Sequence, residues 1–328
     1  MGSKSPAMDK LINPTLEAIE FLKEWTNHSD YITAYTSGST GNPKEIHLLK
    51  KDMEVSALAT NQYFGISDKS FLVCPLSASY IAGKMMIVRA LMSGATLQFE
   101  QPSSRPLVQQ YPEITLLPIV PAQIESLIDN PQPISNIIIG GAPIHVEWEF
   151  KIREIPSNVY ATYGMTETCS HVALRNISKR ENHFTALPDI SFHKDDRDCL
   201  VIDLPKFSFR QITTNDVIDL IDHRTFRWLG RYDNVIISGG LKVHPEILEK
   251  KLAAYIFRPF YITSVSDRKW GEKVVIYILG EKDSDYEAYL SAIFKEKLPR
   301  HEIPREILWV DKFKTTSSGK LIRRLSEL

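Results

Sequence analysis

From Phe71 to Thr162, short apolar runs alternate with segments of helical spacing, and this alternation restricts the fold more than any other feature of the chain. Phe71–Cys74, Thr96–Phe99, Ile114–Leu117, Asn136–Ile139 and Val159–Thr162 read as strands. Ile81–Met92, closed by Gly94, and Pro121–Ile128 read as helices between them. Strands separated by helices predict a mostly parallel sheet covered on both faces. Upstream, Asn13 as N-cap and Pro14 at the first helical position open a helix carrying Leu16, Ile19, Leu22 and Trp25. Tyr31–Tyr35 reads as a strand and Lys51–Tyr63 as a helix.

Beyond Cys199 the rhythm changes. Val201-Ile202, Phe207–Ile212, Val217–Ile221 and Thr225–Leu229 read as short antiparallel strands, a small β-rich part. After Asp233 and Asn234 come a hairpin (Val235–Ser238, Gly239-Gly240, Leu241–Val243), a helix from Pro245 to Ala254, strands Tyr261–Val265 and Val274–Leu279, and a helix over Tyr286–Lys297. This predicts a core domain over residues 8–232 and a small α+β domain over 233–328, divided near Tyr232–Asn234. Two domains fit 328 residues at roughly 150 residues each.

A content of 43% hydrophobic and 24% charged residues excludes disorder, collagen and coiled coil as the main structure. Lys+Arg 39 against Asp+Glu 40 weighs against a partner such as nucleic acid or an anionic membrane. No run approaches the ~18 apolar residues of a membrane helix, so no membrane insertion is expected. Met1–Ala7 lacks an apolar stretch and reads as a cloning remnant ahead of a second start at Met8. Cys74, Cys169 and Cys199 match neither a disulfide framework nor a zinc site, and a reducing cytoplasm suits them.

Four motifs and one weaker glycine turn carry chemistry. Tyr35-Thr36-Ser37-Gly38-Ser39-Thr40-Gly41 with Lys44 offers backbone N–H groups, hydroxyls and a cation, the requirements of a polyphosphate cradle, but in a spacing that is not a Walker A. Tyr163-Gly164-Met165-Thr166-Glu167 follows a strand, where ligands of open α/β sheets bind. Tyr163 could stack on a base, Thr166 bond phosphate and Glu167 hold magnesium. Gly140-Gly141-Ala142 could let a planar ring lie against backbone. Asp216 and Arg231 could hold ribose hydroxyls, and Lys320 stands at the end of a polar loop, Lys314–Lys320. Taken singly, each has a plain alternative: a Ser/Gly surface turn, a capped strand-to-helix turn, a surface Asp–Arg pair, a solvated tail lysine.

Their order and spacing together resemble the adenylate-forming superfamily of acyl-CoA synthetases, amino-acid adenylation domains and luciferases. Gly140–Pro143 resembles its adenine-site turn, and Asp267–Glu272 and Leu298–Pro304 resemble signatures of its C-terminal lid. The resemblance runs from about Tyr31 to the end. It implies an α/β core, shortened at its N-terminus, and a mobile lid. It departs from the family in three places. Only about thirty residues precede the phosphate loop, Asn215 stands where Gly is usual, and Pro75–Gly83 lacks the usual His or aromatic pattern. Short chains with such a loop look most like the o-succinylbenzoate–CoA ligases of menaquinone synthesis.

The resemblance implies two half-reactions with ATP, magnesium and coenzyme A: carboxylic acid and ATP give acyl-AMP and pyrophosphate, and the acyl group then passes to the CoA thiol. In this scheme Thr36–Gly41 and Lys44 hold phosphates, and Glu167 with Thr40 positions the metal. Gly141, Ala142, Tyr163, Gly164 and Met165 line the nucleotide, with Asp216 and Arg231 on the ribose. Lys320, with Thr166 and Glu167, is catalytic. Asp233 is the hinge, and rotation brings Ser238, Gly239 and Gly240 to the CoA. The acyl pocket is expected from Ser77, Ser79, Tyr80, Gly83, Lys84 and Gly140, with Lys84, or else Arg89, on a second carboxylate. Two alternatives accompany this reading. An adenylation domain loading a carrier protein is disfavoured because Pro75–Gly83 has no Asp for an amine. A nucleotide binder without catalysis would have no use for Lys320. The shortened N-terminus is expected to leave apolar surface that a homodimer could cover.

Overall fold

The computed structural model describes residues 8–36, 44–144, 146–315 and 321–323. The elements in order are β1 (Leu11–Ile12), α1 (Leu16–Thr26), β2 (Tyr31–Thr36), β3 (Lys44–Leu49), α2 (Lys50–Phe64), β4 (Phe71–Cys74), α3 (Ile81–Ser93), β5 (Thr96–Phe99), β6 (Ile114–Ile119), α4 (Ile124–Asp129), β7 (Ile134–Ile139), α5 (Val146–Ile152) and β8 (Asn158–Gly164). There follow β9 (His171–Asn176), β10 (Phe184–Ala186), β11 (Ser191–Lys194), β12 (Cys199–Asp203), β13 (Gln211–Asp222), β14 (Thr225–Arg231), β15 (Ile236–Ser238), β16 (Leu241–Val243), α6 (Pro245–Leu252), β17 (Phe260–Asp267), β18 (Gly271–Leu279), α7 (Ser284–Lys297) and β19 (Glu306–Val310).

Among the described residues one sheet runs β1-β5-β4-β6-β7-β8-β9-β10-β14-β13-β12-β11. The expected parallel sheet is its first half, where every pairing from β1 to β8 is parallel. The expected β-rich part does not form a separate layer. It continues the same sheet through antiparallel pairing of β8 with β9. The parallel strands are buried apolar runs such as Ile137–Ile139, as strands covered on both faces must be. Met85–Val88 of α3 and Met53 and Ala57 of α2 fill one core, and Leu117, Ile124, Ile137 and Ile152 fill another. A second sheet, β16-β15-β18-β17 with β19 beside β18, starts at Ile236 and has its own core around Leu248, Ile276, Leu290 and Phe294. A single 3₁₀ turn, Tyr232–Asn234, joins the two sheets.

Several local expectations are corrected. The cap of α1 is Thr15, whose hydroxyl accepts from the Ala18 N–H at 3.3 Å, while Asn13 lies in the left-handed region at φ 53°. That helix turns Ala18 and Phe21 inward and leaves Leu16 and Ile19 exposed. Pro121–Ile128 divides into a 3₁₀ turn, Pro121–Gln123, and α4. Phe207–Ile212 and Val217–Ile221 are not two strands. The polar stretch Thr213–Asp216 is carried inside one long strand, β13, because β12 and β14 pair with it on either side.

All three cysteines are free and buried. Burial pushes the Cys74 thiol up to about 12 and raises those of Cys169 and Cys199. The thiolate is the reactive form, so N-ethylmaleimide at pH 8 is expected to leave the native protein unlabelled and to label all three thiols in denaturant, as intact mass would read. Among the described residues no helix is long and apolar enough to cross a membrane.

Candidate active site

The strand before one motif and the turn of another, far apart in sequence, meet at the carboxyl end of β8. Ser37, Gly38, Ser39, Thr40 and Gly41 lie outside the described residues, but the strands flanking them form an antiparallel ribbon, with Thr36 opposite Lys44. The expected phosphate loop lies in sequence between these two paired strands, and β3 was not legible as a strand. Its partner β2 touches the turn Thr166–Thr168, which directly follows β8. In that turn the local capping role falls to Thr168, whose hydroxyl accepts from the Met165 N–H at 3.0 Å and donates to the Ser170 carbonyl at 2.6 Å. Thr166 and Glu167 are left with no side-chain partner among the described residues. Gly164 is needed where β8 meets β9, because an added Cβ would overlap the Ser170 carbonyl.

The Asp216 carboxylate is the most heavily bonded group of the site. It accepts from the Tyr163 hydroxyl at 2.6 Å and the Trp228 indole N–H at 3.2 Å, and it lies 3.6 Å from the Arg231 guanidinium. Asp216 and Arg231 are direct cross-strand partners on β13 and β14. Burial first, and then the Asp216 charge, holds the Tyr163 phenol well above its ordinary value, so it remains a donor. The Tyr163 ring meets Phe226 edge-on at 5.1 Å. Trp228 was not anticipated. Its place on β14 beside Asp216 depends on a register shift in the β13–β14 pairing that no sequence spacing reveals. Asn215, the departure from the family pattern, accepts from Arg197 at 2.9 Å.

At the end of β7, Gly140 donates to the Ile119 carbonyl at 3.1 Å, and Gly141 takes φ 85°, leaving Gly141 and Ala142 exposed. In the loop before α3, Ser77 and Tyr80 form a turn, Ser79 donates its N–H to the Ser77 hydroxyl, and Tyr80 is 71% exposed. Gly83 packs against this loop so tightly that a Cβ would overlap the Ser77 carbonyl. Gly83→Ala is thus expected to cost ~1–3 kcal/mol of stability, measured by thermal melting.

Lys84 does not stand free. Its ammonium lies 3.5 Å from Glu24 and 4.9 Å from the centre of the Phe21 ring, both on α1. This is the plain alternative to a role on a substrate carboxylate, pairing with a nearby acid. Among the described residues Arg89 has no acidic partner. It is 1% exposed, its Nη2 donates to the Ser170 hydroxyl at 2.6 Å, and its Nε has no partner. Burial lowers it to about 10, so it remains a cation at neutral pH. His171 beside it is held well below its ordinary value, by burial first and then by the Arg89 charge, and is neutral.

Asp233 lies in the joining turn, exposed and 3.6 Å from Arg231. Ser238 and Leu241 pair across Gly239 and Gly240, whose φ values of 59° and 82° are those of a two-residue hairpin turn. Glu272 ties that hairpin to β18 by accepting from the Ile237 N–H at 2.7 Å. Lys320 lies outside the described residues; the chain on either side of its loop meets at a bridge between Thr315 and Leu321. Among the described residues no cluster of three or more His, Cys, Asp or Glu could cage a metal. An exposed Glu167 in a turn that touches β2 still fits magnesium, which takes one or two carboxylates and completes its shell with phosphate and water.

A family model described as AMP-binding enzyme matches residues 9–195. The 2-succinylbenzoate–CoA ligase of Bacillus subtilis is 24% identical over 96% of this chain and 72% of its own length. That of Listeria monocytogenes is 26% identical over 93% of this chain and 71% of its own. Among solved structures, an acyl-CoA synthetase (AMP-forming)/AMP-acid ligase II-like protein from Dyadobacter fermentans is 29% identical, with a TM-score of 0.63 over 93% of this chain and 91% of its own. The o-succinylbenzoate CoA synthetase of Bacillus subtilis, in complex with its acyl-adenylate intermediate, is 23% identical with a TM-score of 0.73 over 90% of this chain and 70% of its own, a likeness of fold. With a family model over more than half of its length and the fold of these enzymes, the chain belongs to the AMP-binding enzyme family and is an AMP-forming acid–thiol ligase.

Proposed function

We propose that the protein activates 2-succinylbenzoate with ATP and transfers it to coenzyme A, with residues 8–232 binding ATP and acid and residues 233–328 serving as the lid. The observation that carries the choice of acid is Arg89. A buried guanidinium without a carboxylate is costly, and this one donates to Ser170, just past the turn after β8. Ligands of open α/β sheets bind at the carboxyl ends of strands. A dicarboxylic acid supplies what Arg89 lacks, and a fatty acid does not. The names of the relatives support the same acid.

In the first half-reaction a free carboxylate attacks the α-phosphate, and pyrophosphate leaves. Lys44 and the loop before it hold the outer phosphates, Asp216 accepts from the ribose hydroxyls, and Lys320 offsets charge between carboxylate and phosphate. Glu167 and Thr40 would hold magnesium, which when bound would offset charge on the phosphate oxygens. The catalysis is positioning and electrostatics. In the second half-reaction the lid turns about Asp233, and the hairpin at Ser238–Gly240 faces the CoA thiol. A reaction drawing on ATP and CoA belongs in the cytoplasm, where buried free thiols also persist.

Arg89→Met tests the acid. The variant is expected to lose ~10- to 30-fold in kcat/KM for 2-succinylbenzoate, the worth of a charged hydrogen bond, with KM for ATP unchanged. Use of benzoate by the wild type as readily as 2-succinylbenzoate would remove the substrate assignment and leave the ligase.

A further inference from the structure

We propose that Arg323 is a positioning residue for the acid-activating half-reaction, fixing the chain three residues after Lys320 through a buried pair with Glu249. The proposal rests on the reading that Lys320 acts in that half-reaction.

Among the described residues the backbone ties this end of the chain at two points. Thr315 and Leu321 form one isolated antiparallel bridge, and the Ile322 N–H donates to the Lys314 carbonyl at 2.9 Å. So short a ladder leaves register poorly specified. Arg323 supplies what the ladder lacks. Its Nη2 donates to Glu249 Oε2 at 2.7 Å, its Nη1 donates to Glu249 Oε1, and the same Nη1 donates to the Ile262 carbonyl at 2.9 Å. The Thr263 hydroxyl donates to the Arg323 carbonyl at 3.0 Å. Glu249 is itself held in place, because it accepts from the Ile262 N–H at 2.7 Å. One guanidinium therefore reads both α6 and β17, and its planar fork fixes orientation as well as distance.

Both side chains are largely buried, at 16% and 19% exposure. A buried ion pair contributes little net stability, and its best-attested use is to select one arrangement over its neighbours. The pairing also reaches the joining turn. Arg323 Nε lies 4.0 Å from Glu246 Oε1, which accepts from the Asn234 side chain at 2.6 Å, one residue after Asp233. The second oxygen of Glu246 has no hydrogen-bond partner and packs against Gly230, where a Cβ would displace it. The segment that follows Lys320 is thus tied to the turn about which the lid is proposed to move.

The test separates the half-reactions in the full chain: pyrophosphate release from ATP and 2-succinylbenzoate without CoA, and thioester formation from preformed acyl-adenylate. Arg323→Lys keeps the charge and loses the fork. It is expected to lower kcat for the first step by ~10- to 30-fold, as a displacement of a positioned group by under an ångström does. KM for ATP and the second step stay near wild type. Glu249→Met with Arg323→Met removes the closely paired charges together, leaving Glu246 its bond from Asn234, and it should show the same selective loss. Unchanged rates in both variants, or equal loss in both half-reactions, would overturn the proposal. Lys320→Ala run alongside separates the two ideas. If it loses acyl-adenylate formation while the Arg323 variants keep it, only the positioning role fails. If it keeps acyl-adenylate formation, the role of Lys320 fails and the proposal with it.

Discussion

Lys320→Ala is expected to lower acyl-adenylate formation by ~10²-fold or more, the usual cost of removing one well-aimed charge donor. In the first half-reaction two anions, a carboxylate and an α-phosphate, must approach within bonding distance. A compact ammonium between them offsets that repulsion only in that encounter, so its loss falls on kcat rather than on binding. In the second half-reaction the nucleophile is a thiol and the bond that breaks joins acyl carbon to phosphate oxygen. Given preformed acyl-adenylate, the variant should make thioester at nearly the wild-type rate. Quenched-flow measurement of each step reads the difference, and equal loss in both would falsify the assignment.

Asp216→Ala is expected to raise KM for ATP by roughly 10²-fold, since hydrogen bonds to a charged group are among the strongest available. The same change strands three donors at once: the Tyr163 hydroxyl, the Trp228 indole N–H and Arg231. Some loss of stability therefore accompanies it, and Asp216→Asn is the control, because an amide keeps the shape and one acceptor. If ribose recognition is the role, Asp216→Asn binds ATP weakly yet melts close to wild type, and a 2′,3′-dideoxy ATP analogue discriminates little between the variant and the wild type. An Asp216→Asn protein with unaltered ATP affinity would assign the carboxylate to structure alone.

The elements that position the site were legible wherever a period was clean. Phe71–Cys74 and Thr96–Phe99 have the predicted ends because each is a short apolar run between polar breaks, and α3 stops at Gly94 because a left-handed residue ends it at φ 69°. The strands β9, β10 and β11 went unseen. Their burial follows from where the sheet turns antiparallel after β8, which is a matter of tertiary pairing. The same holds for side chains. Asp216 and Arg231 could be paired from motif order, and they face each other in register. Lys84 and Arg89 could not be told apart by spacing, because only the packing of α1 against α3 shows which cation already has its acid. Trp228 carried no sequence signal, since a tryptophan in an antiparallel strand is ordinarily core.

The central claim is that one active site makes an acyl-adenylate of 2-succinylbenzoate and then its CoA thioester. Mass spectrometry of a single incubation tests it most directly: enzyme, ATP, magnesium and 2-succinylbenzoate, sampled before and after CoA is added. Before CoA, the account predicts acyl-adenylate and pyrophosphate in equal amounts, close to one per active site. After CoA, it predicts conversion of that adenylate to thioester with release of AMP. ADP and phosphate in place of AMP and pyrophosphate, or an adenylate that CoA does not discharge, would contradict it.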